Sequence, residues 1–150
     1  MILVSYFSAS GVTEGMANQI ANQVAGDLFE IQPIQKYTEE DLDWRNTESR
    51  SSLEMSNPNA RPGTMGKVAN LDSYSIVFLG FPVWWDKAPS IVKTFLDEND
   101  LKGKEIYVFV TSGGSGVDPS LEDLRKTYPD LNFVSGKRLI QFDQDFPGWL

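Results

Sequence analysis

The chain has 150 residues, a length typical of one domain, and its hydrophobic content of 41% and charged content of 23% are those of a globular protein. It contains no cysteine and no histidine, which excludes disulfides, metal centres of the Cys/His type and thiol nucleophiles, so any redox chemistry would need a bound organic cofactor. The formal charge of −8, spread evenly along the chain, argues against nucleic acid and anionic membranes as partners.

The first third of the sequence predicts a strand, a helix and a second strand. Ile2–Phe7 is a short apolar run typical of a buried parallel strand, and Ser8–Gly11 is a turn. Val12–Val24 is predicted to be a helix, and Leu28–Ile31 is predicted to be the next strand. The apolar side chains of this helix recur mostly at spacings of three and four on one face, namely Val12, Met16, Ala17, Ile20, Ala21 and Val24.

Residues 33–70 form a long connection without a strong period. A short helix could start at Asp41–Trp44, a second helix could lie within Thr47–Met55, and Asn57–Gly63 is a loop with two prolines. Connections of this length are often functional. The alternative is that the segment is only a decorated crossover on the surface.

The remainder alternates strands with helices. Strands are predicted at 75–81, 105–110 and, as a short fifth strand, 132–134, and helices at 89–98 and 119–128. This alternation predicts an open parallel α/β sheet in one domain that covers the whole chain. Ligands of such sheets bind outside the carboxyl ends of the strands, so the loops at those ends are the candidates for a site.

The loop after the first strand suits a phosphate group. Ser8, Ser10 and Thr13 carry hydroxyls, Gly11 allows a tight turn, and free amides at the start of the helix favour an anion. The loop contains no lysine or arginine, so hydrogen bonds and the helix dipole alone would hold the anion. The alternative is plain capping of the helix by Ser8 or Ser10.

The loop after the strand at 75–81 carries two adjacent tryptophans, Trp84 and Trp85. Adjacent tryptophans cannot both be buried easily in one direction, so we expect at least one near the surface. It could stack on a planar ligand or contact another protein. Alternatively, the pair packs under the 33–70 segment.

The loop after the strand at 105–110 is rich in glycine and serine, from Ser112 to Asp118. Small residues allow backbone groups to approach a ligand closely, and Asp118 is expected to cap the helix that starts near Pro119. If the three strands are adjacent, the three loops meet at one rim. A flat cofactor that carries a phosphate would fit all three.

Several motifs resemble the flavodoxin family over nearly the whole chain. The loop at 8–13 is similar to the family's [ST]-x-[ST]-G-x-T phosphate loop. Further motifs resemble a bacterial branch of flavodoxin-like proteins. They are Gly80–Trp85, Thr94–Leu96, Lys102–Lys104, Thr111–Gly116 and a middle pattern of Tyr37, Asp41–Trp44, Ser49–Ser51 and Arg61-Pro62. The resemblance implies a three-layer flavodoxin-like sandwich with a five-stranded parallel sheet in the order 2-1-3-4-5.

The chain departs from the family pattern at two places. Val12 stands where asparagine is common and has no side-chain donor. The last helix of the fold is expected to be short or missing, which leaves one face of the sheet to be covered by Phe146, Trp149 and Leu150 or by a second subunit.

The cofactor that the resemblance implies is FMN, with no metal. Its phosphate would lie on Ser8, Ser10, Gly11, Val12 and Thr13. Its ring would lie between two loops, with Trp84 or Trp85 stacked on it and Tyr37 and Trp44 covering the other side. The loop residues expected at the ring are Pro82, Val83, Trp84, Trp85, Asp86, Ser112, Gly113, Gly114, Gly116 and Asp118.

The function expected from these features is electron transfer through the bound flavin. The alternatives are an NAD(P)H-dependent quinone or nitro reductase, and a non-enzymatic interaction module that uses the Trp84/Trp85 surface. Partners would be redox proteins or a small-molecule acceptor, and neither nucleic acid nor a membrane. A chain without a basic leader or a spanning apolar run is expected in the cytoplasm, as a monomer or homodimer.

Overall fold

The structure is a computed structural model that describes residues 1–112 and 114–139. Within these residues, strands and helices alternate as the sequence predicts. The strands are β1 (Ile2–Tyr6), β2 (Asp27–Glu30), β3 (Ile76–Pro82), β4 (Glu105–Thr111) and β5 (Asn132–Arg138). The helices are α1 (Val12–Val24), α2 (Arg50–Ser56), α3 (Ser90–Glu98) and α4 (Asp118–Thr127), with a single 3-10 turn at Leu71–Ser73.

All five strands are parallel and form one sheet in the order β2-β1-β3-β4-β5. This is the predicted flavodoxin-like order, so the predicted fold class is confirmed. The order reverses direction between β1 and β3, which places a switch point at the carboxyl ends of these two strands.

Apolar side chains cover both faces of the sheet, because successive large residues of β3 and β4 point to opposite faces. One face packs Val77, Leu79 and Val108 against α3 and α4, and the other packs Phe78 and Phe109 against the stripe of α1. Burial on both faces explains the continuous apolar runs in these central strands.

The 33–70 segment is closed at its neck. Its two ends meet in an isolated antiparallel bridge between Pro33 and Thr64, and the amide of Ile34 donates to Gly63 O at 3.0 Å. The stretch between Pro33 and Thr64 is therefore closed into a loop at its base.

Inside this segment the predicted helices differ from the observed ones. Residues 41–44 form turns and no helix: Thr38 and Asp41 exchange hydrogen bonds of 2.9 and 3.1 Å that start one turn, and Asp43 Oδ1 then accepts from the amide of Arg45 at 3.1 Å. The second predicted helix begins only after Ser49, whose side chain accepts from the amide of Ser52. The prediction of a helix at 41–44 was wrong because the Asp43 side chain takes a backbone amide that a continuing helix would use.

The last strand, β5, is longer than predicted. It continues through Gly136 to Arg138, and packing of its central residues against the loop before α4 supports the extra length. The expectation of a short or missing last helix, and of cover by Phe146, Trp149 and Leu150, concerns residues outside the described ranges.

We predict that Gly80→Ala destabilises the fold. An added Cβ at Gly80 would lie 2.0 Å from Cζ of the buried Phe109 ring, so the strand or the ring has to move. Overpacking of this kind costs about 1–3 kcal/mol, measurable as a lower urea midpoint.

Gly15→Ala is the matched control for this measurement. A Cβ at Gly15 would meet no atom of the described residues within 4 Å, and alanine in a helix interior is expected to gain about 0.5–1 kcal/mol. Equal urea midpoints for the two variants would contradict the packing role of Gly80.

Candidate functional site

The carboxyl ends of β1, β3 and β4 bring two of the three candidate loops into direct contact. The hydroxyls of Thr13, at the start of α1, and Thr111, at the end of β4, are hydrogen-bonded at 2.8 Å in a buried position. The amide of Val83 donates to Thr111 O at 3.2 Å, which joins the end of β3 to the same point. The sequence prediction that these loops converge at one rim is confirmed for the described residues.

The first loop forms an open cradle of amides. Gly11 lies in the left-handed region with φ of 94°, and nothing lies within 4 Å of the point where a Cβ would sit. The Ser10 side chain is exposed, and neither it nor the amides of Val12 and Thr13 bonds to another described residue. Free amides at a helix start, opened by a glycine, are suited to a phosphate.

Ser8 is partly engaged in helix capping, as the alternative reading proposed. Its Oγ accepts from the amides of Gly11 at 3.0 Å and Glu14 at 3.2 Å. Ser10 has no such contact among the described residues, so capping accounts for one of the two serines and leaves the other available.

Val12 was expected on the buried face of α1 and is instead exposed, with 53% of its surface accessible. Thr13 takes the place on the inward stripe, three residues before Met16, and is 2% exposed. The buried Thr13 hydroxyl is occupied by Thr111, which leaves the Thr13 amide for an anion.

The second loop is a two-residue turn with unusual backbone angles. Trp84 and Lys87 exchange both backbone hydrogen bonds, at 2.9 and 3.0 Å, and the two residues between them have positive φ angles of 50° at Trp85 and 61° at Asp86. Such turns strongly prefer glycine or asparagine, and a tryptophan there is a strained exception. The turn presents Trp85 outward, where it is 47% exposed.

Trp84 is the inner tryptophan and packs under the 33–70 segment. Its ring meets Phe7 at 5.7 Å and Tyr37 at 5.4 Å between centroids, and Phe7 and Tyr37 meet at 5.6 Å, all edge to face. The expectation that at least one tryptophan lies near the surface is confirmed. The packing alternative holds for Trp84, whereas Trp85 is free to contact a ligand.

Tyr37 is held in place by Arg50 and Glu54 of α2. The Arg50 guanidinium lies 3.8 Å from the centre of the Tyr37 ring, and the phenol donates to Glu54 Oε1 at 2.5 Å. Arg50 also pairs with Glu54 at 2.9 Å. Burial, and then the hydrogen bond to Glu54, raises the pKa of Tyr37 well above its ordinary value, so it remains a neutral donor.

The structural role of Arg50 was not found from the sequence, where Arg50 was only part of a motif. It donates to Gln35 O at 2.6 Å in addition to contacting Tyr37 and Glu54, and so it ties α2 to the start of the 33–70 segment. Its position, four residues before Glu54 on a helix, is the signal that could have suggested an ion pair.

The third loop is folded back on itself. Ser112 Oγ donates to Ser115 O, and the Arg138 guanidinium lies 3.4 Å from Ser112 O. Gly114 and Gly116 are exposed with open space at their Cβ positions, whereas Gly113 lies outside the described residues.

Asp118 is not the cap that the sequence predicted. It is the first residue of α4, and Val117 occupies the cap position without a side-chain hydrogen bond. Pro119 in the first turn already lacks an amide donor, which reduces the need for a cap. The loop after β3 reaches this helix, because Ser120 Oγ donates to Asp86 O at 3.2 Å.

A second aromatic feature lies beside the Trp85 turn. Trp44, from the 33–70 segment, is 69% exposed, and it and Trp85 together border two adjoining cavities of about 300 and 310 Å³. No described residue of the 8–13 loop or of the 112–118 loop lines either cavity.

The described part of the chain offers neither a cluster of metal ligands nor a membrane-spanning helix. It holds no group of three or more Asp and Glu side chains placed to bind a metal ion. None of its helices is long and apolar enough to cross a membrane.

The sequence matches a family of known proteins over nearly its full length. A family model described as flavodoxin matches residues 1–148, so the chain belongs to this flavodoxin family. No match was found among curated proteins.

Solved structures agree with this assignment. A candidate flavoprotein from Bacteroides eggerthii is 48% identical, with 99% of this chain and 94% of that chain aligned and a TM-score of 0.97. A candidate flavoprotein from Bacteroides uniformis is 40% identical, with coverage of 99% and 96% and a TM-score of 0.94. A flavoprotein from Lactobacillus acidophilus, in complex with FMN, is 22% identical, with coverage of 99% and 97% and a TM-score of 0.81, which shows a shared fold.

We predict that Asp86→Gly stabilises the protein. Glycine adopts a positive φ without a steric penalty, so the change should raise the free energy of unfolding by about 1 kcal/mol. Denaturant titration measures the gain. Asp72→Gly removes the same side chain at an exposed residue without a positive φ and should give no gain; equal gains in both variants would contradict strain at Asp86.

Proposed function

We propose that this protein binds FMN and transfers electrons through it. The observation that carries the proposal is the pair of features at the adjoining strand ends: an open amide cradle and an outward tryptophan turn. The buried bond between Thr13 and Thr111, together with the bond from the Val83 amide to Thr111 O, fixes one relative to the other. The fit is chemical as well as spatial, because the cradle suits a phosphate and an indole suits a flat ring.

The phosphate would be held by Ser10 and the amides of residues 11–13. These groups donate hydrogen bonds without carrying charge, so binding would rely on the amides and on the positive end of the α1 dipole. Ser8 already orders the turn by accepting from two amides, so the cradle is shaped before an anion arrives. A site that is already ordered loses less entropy on binding.

The ring would lie beside Trp85 and the 112–118 loop. FMN, when bound, supplies one- and two-electron redox chemistry, and the protein sets its potential. Asp86 and Asp118 border this rim, the chain is acidic, and it holds no histidine. Nearby negative charge disfavours added electrons, so we expect a low potential.

The relatives support a flavin. The Lactobacillus acidophilus protein was solved with FMN, and both Bacteroides proteins, at 48% and 40% identity, are candidate flavoproteins. Electron transfer, a cytoplasmic location and a monomer or homodimer are parts of this proposal that remain predictions.

An NAD(P)H-dependent quinone or nitro reductase is the second candidate. Such an enzyme needs room for a second planar compound, and the cavities between Trp44 and Trp85 favour this possibility. Stopped-flow mixing of the FMN-loaded protein with NADPH separates the candidates. Fast direct bleaching of the flavin indicates the reductase, and no bleaching indicates a carrier that another protein reduces.

We predict that Ser10→Asp abolishes FMN binding without unfolding the protein. The new carboxylate would face a phosphate dianion in the cradle, and like charges at this range should weaken binding by about a hundredfold or more. Titration of apoprotein with FMN, followed by tryptophan fluorescence, gives the dissociation constant.

Ser10→Asn is the matched control for this titration, since it has the shape of aspartate without the charge. It should stay within about tenfold of the wild type. Wild-type affinity in Ser10→Asp would show that the phosphate does not lie on this loop, and wild-type protein that stays colourless after FMN addition and desalting would end the flavin proposal.

We predict that Asp86→Asn raises the midpoint potential of the bound flavin. Removing one nearby negative charge stabilises the reduced form by on the order of 1 kcal/mol at intermediate dielectric. Redox titration of the FMN-loaded protein measures the shift, with Asp72→Asn, in the 3-10 turn, as the control expected to show none. A wild-type potential at or above that of free FMN would contradict the proposed electrostatics.

A further inference from the structure

A positively charged side chain lies against the 112–118 loop from the last strand of the sheet. Arg138 is the final residue of β5, and its Nη2 donates to Ser112 O, the first carbonyl of that loop, at 3.4 Å. Gly136 lies two residues earlier and therefore on the same face of the strand. A Cβ placed on Gly136 would lie 2.7 Å from Val117, so this face of β5 points towards the start of α4.

The guanidinium of Arg138 is poorly satisfied by its surroundings. Its Nε is buried and has no hydrogen-bond partner in the described part of the chain. The bond from Nη2 to Ser112 O is long for a hydrogen bond. None of the ion pairs formed between described residues includes Arg138. A buried donor without an acceptor and a partly buried charge without a counter-ion both cost free energy, so this guanidinium favours a negative group beside it.

The two loops expected at the flavin ring otherwise place carboxylates at the rim. Asp86 lies on the turn after β3 and Asp118 begins α4, and the bond from Ser120 Oγ to Asp86 O joins that turn to the helix. Both carboxylates disfavour electrons added to a nearby ring. Arg138 contacts one of these loops and carries the opposite charge, so its effect on the ring has the opposite sign.

Reduction of a flavin changes the charge of its ring. Two electrons and one proton convert the neutral oxidised ring into a reduced ring with one negative charge. A cation that is already in position when this charge develops stabilises the reduced form without a rearrangement of the protein. Arginine suits this task, because its guanidinium remains charged at every pH at which proteins are folded.

We propose that Arg138 selectively stabilises the reduced, negatively charged flavin from behind the 112–118 loop. This inference rests on the proposed function, because it requires the ring to lie beside that loop. It assigns to Arg138 a role in distinguishing the two redox states of the flavin, whereas the cradle at 8–13 holds the phosphate in both states. The unpaired guanidinium thereby limits how far Asp86 and Asp118 lower the potential.

The test compares the binding of oxidised and reduced FMN by the wild type and by Arg138→Met. Methionine keeps an unbranched side chain and removes the charge. Fluorescence titration gives the affinity for oxidised FMN, and a dithionite titration of the FMN-loaded protein gives the midpoint potential. Arg138→Met should leave the affinity for oxidised FMN nearly unchanged and weaken reduced FMN about tenfold, which lowers a two-electron midpoint potential by about 30 mV.

Arg138→Lys and Lys126→Met are the controls. Arg138→Lys keeps a positive charge at the same position, so its potential should stay close to that of the wild type. Lys126 is an exposed cation in the last turn of α4, about 12 Å along the helix axis from Asp118, and its charge is screened by solvent. Lys126→Met should therefore leave the potential unchanged. Arg138→Gln takes the place of Arg138→Met if the methionine variant does not fold.

Several results would overturn the inference while the flavin proposal stands. One is an unchanged potential in Arg138→Met. Equal losses of affinity for oxidised and reduced FMN would show that Arg138 only orders the loop. A shift in Lys126→Met or in Arg138→Lys as large as that in Arg138→Met would show that a charge at this position is not the cause. Wild-type protein that binds no FMN would instead end the flavin proposal and this inference together.

Discussion

The parallel register of β1, β3 and β4 is the constraint on which the rest of the site depends. The three strands start in register, and β3 and β4 run only two residues past the end of β1, so the loops that follow them lie at one edge of the sheet. The buried bond between Thr13 and Thr111 then locks the start of α1 to the end of β4.

The aromatic wall depends on the 33–70 segment, which the sheet alone does not supply. Arg50 contacts the Tyr37 ring and pairs with Glu54, and Tyr37 in turn packs on Trp84. The partly buried guanidinium of Arg50 is stabilised by both the carboxylate of Glu54 and the face of the Tyr37 ring. The inner tryptophan is thereby fixed, and its neighbour Trp85 is left to face outward.

The sheet could be predicted from the sequence because buried parallel strands leave a continuous apolar signal, as at Ile76–Pro82. The meeting of the candidate loops at one rim could be predicted from the strand order. The local details did not follow from the sequence. Burial of Thr13 in place of Val12 depends on a partner 98 residues away, and the turn that starts at Thr38 ends where the Asp43 side chain binds the amide of Arg45. Positive φ at Trp85 had no sequence signal, since no turn preference selects tryptophan.

The closed neck of the 33–70 segment has an evolutionary consequence. Pro33 and Thr64 are paired across the base, so the two ends of the stretch between them are held side by side. Lengthening a surface excursion costs little conformational entropy once its ends are joined. Homologous proteins could therefore exchange this excursion for one of different length, and so diversify what they recognise, while the strand pairing beneath it stays intact.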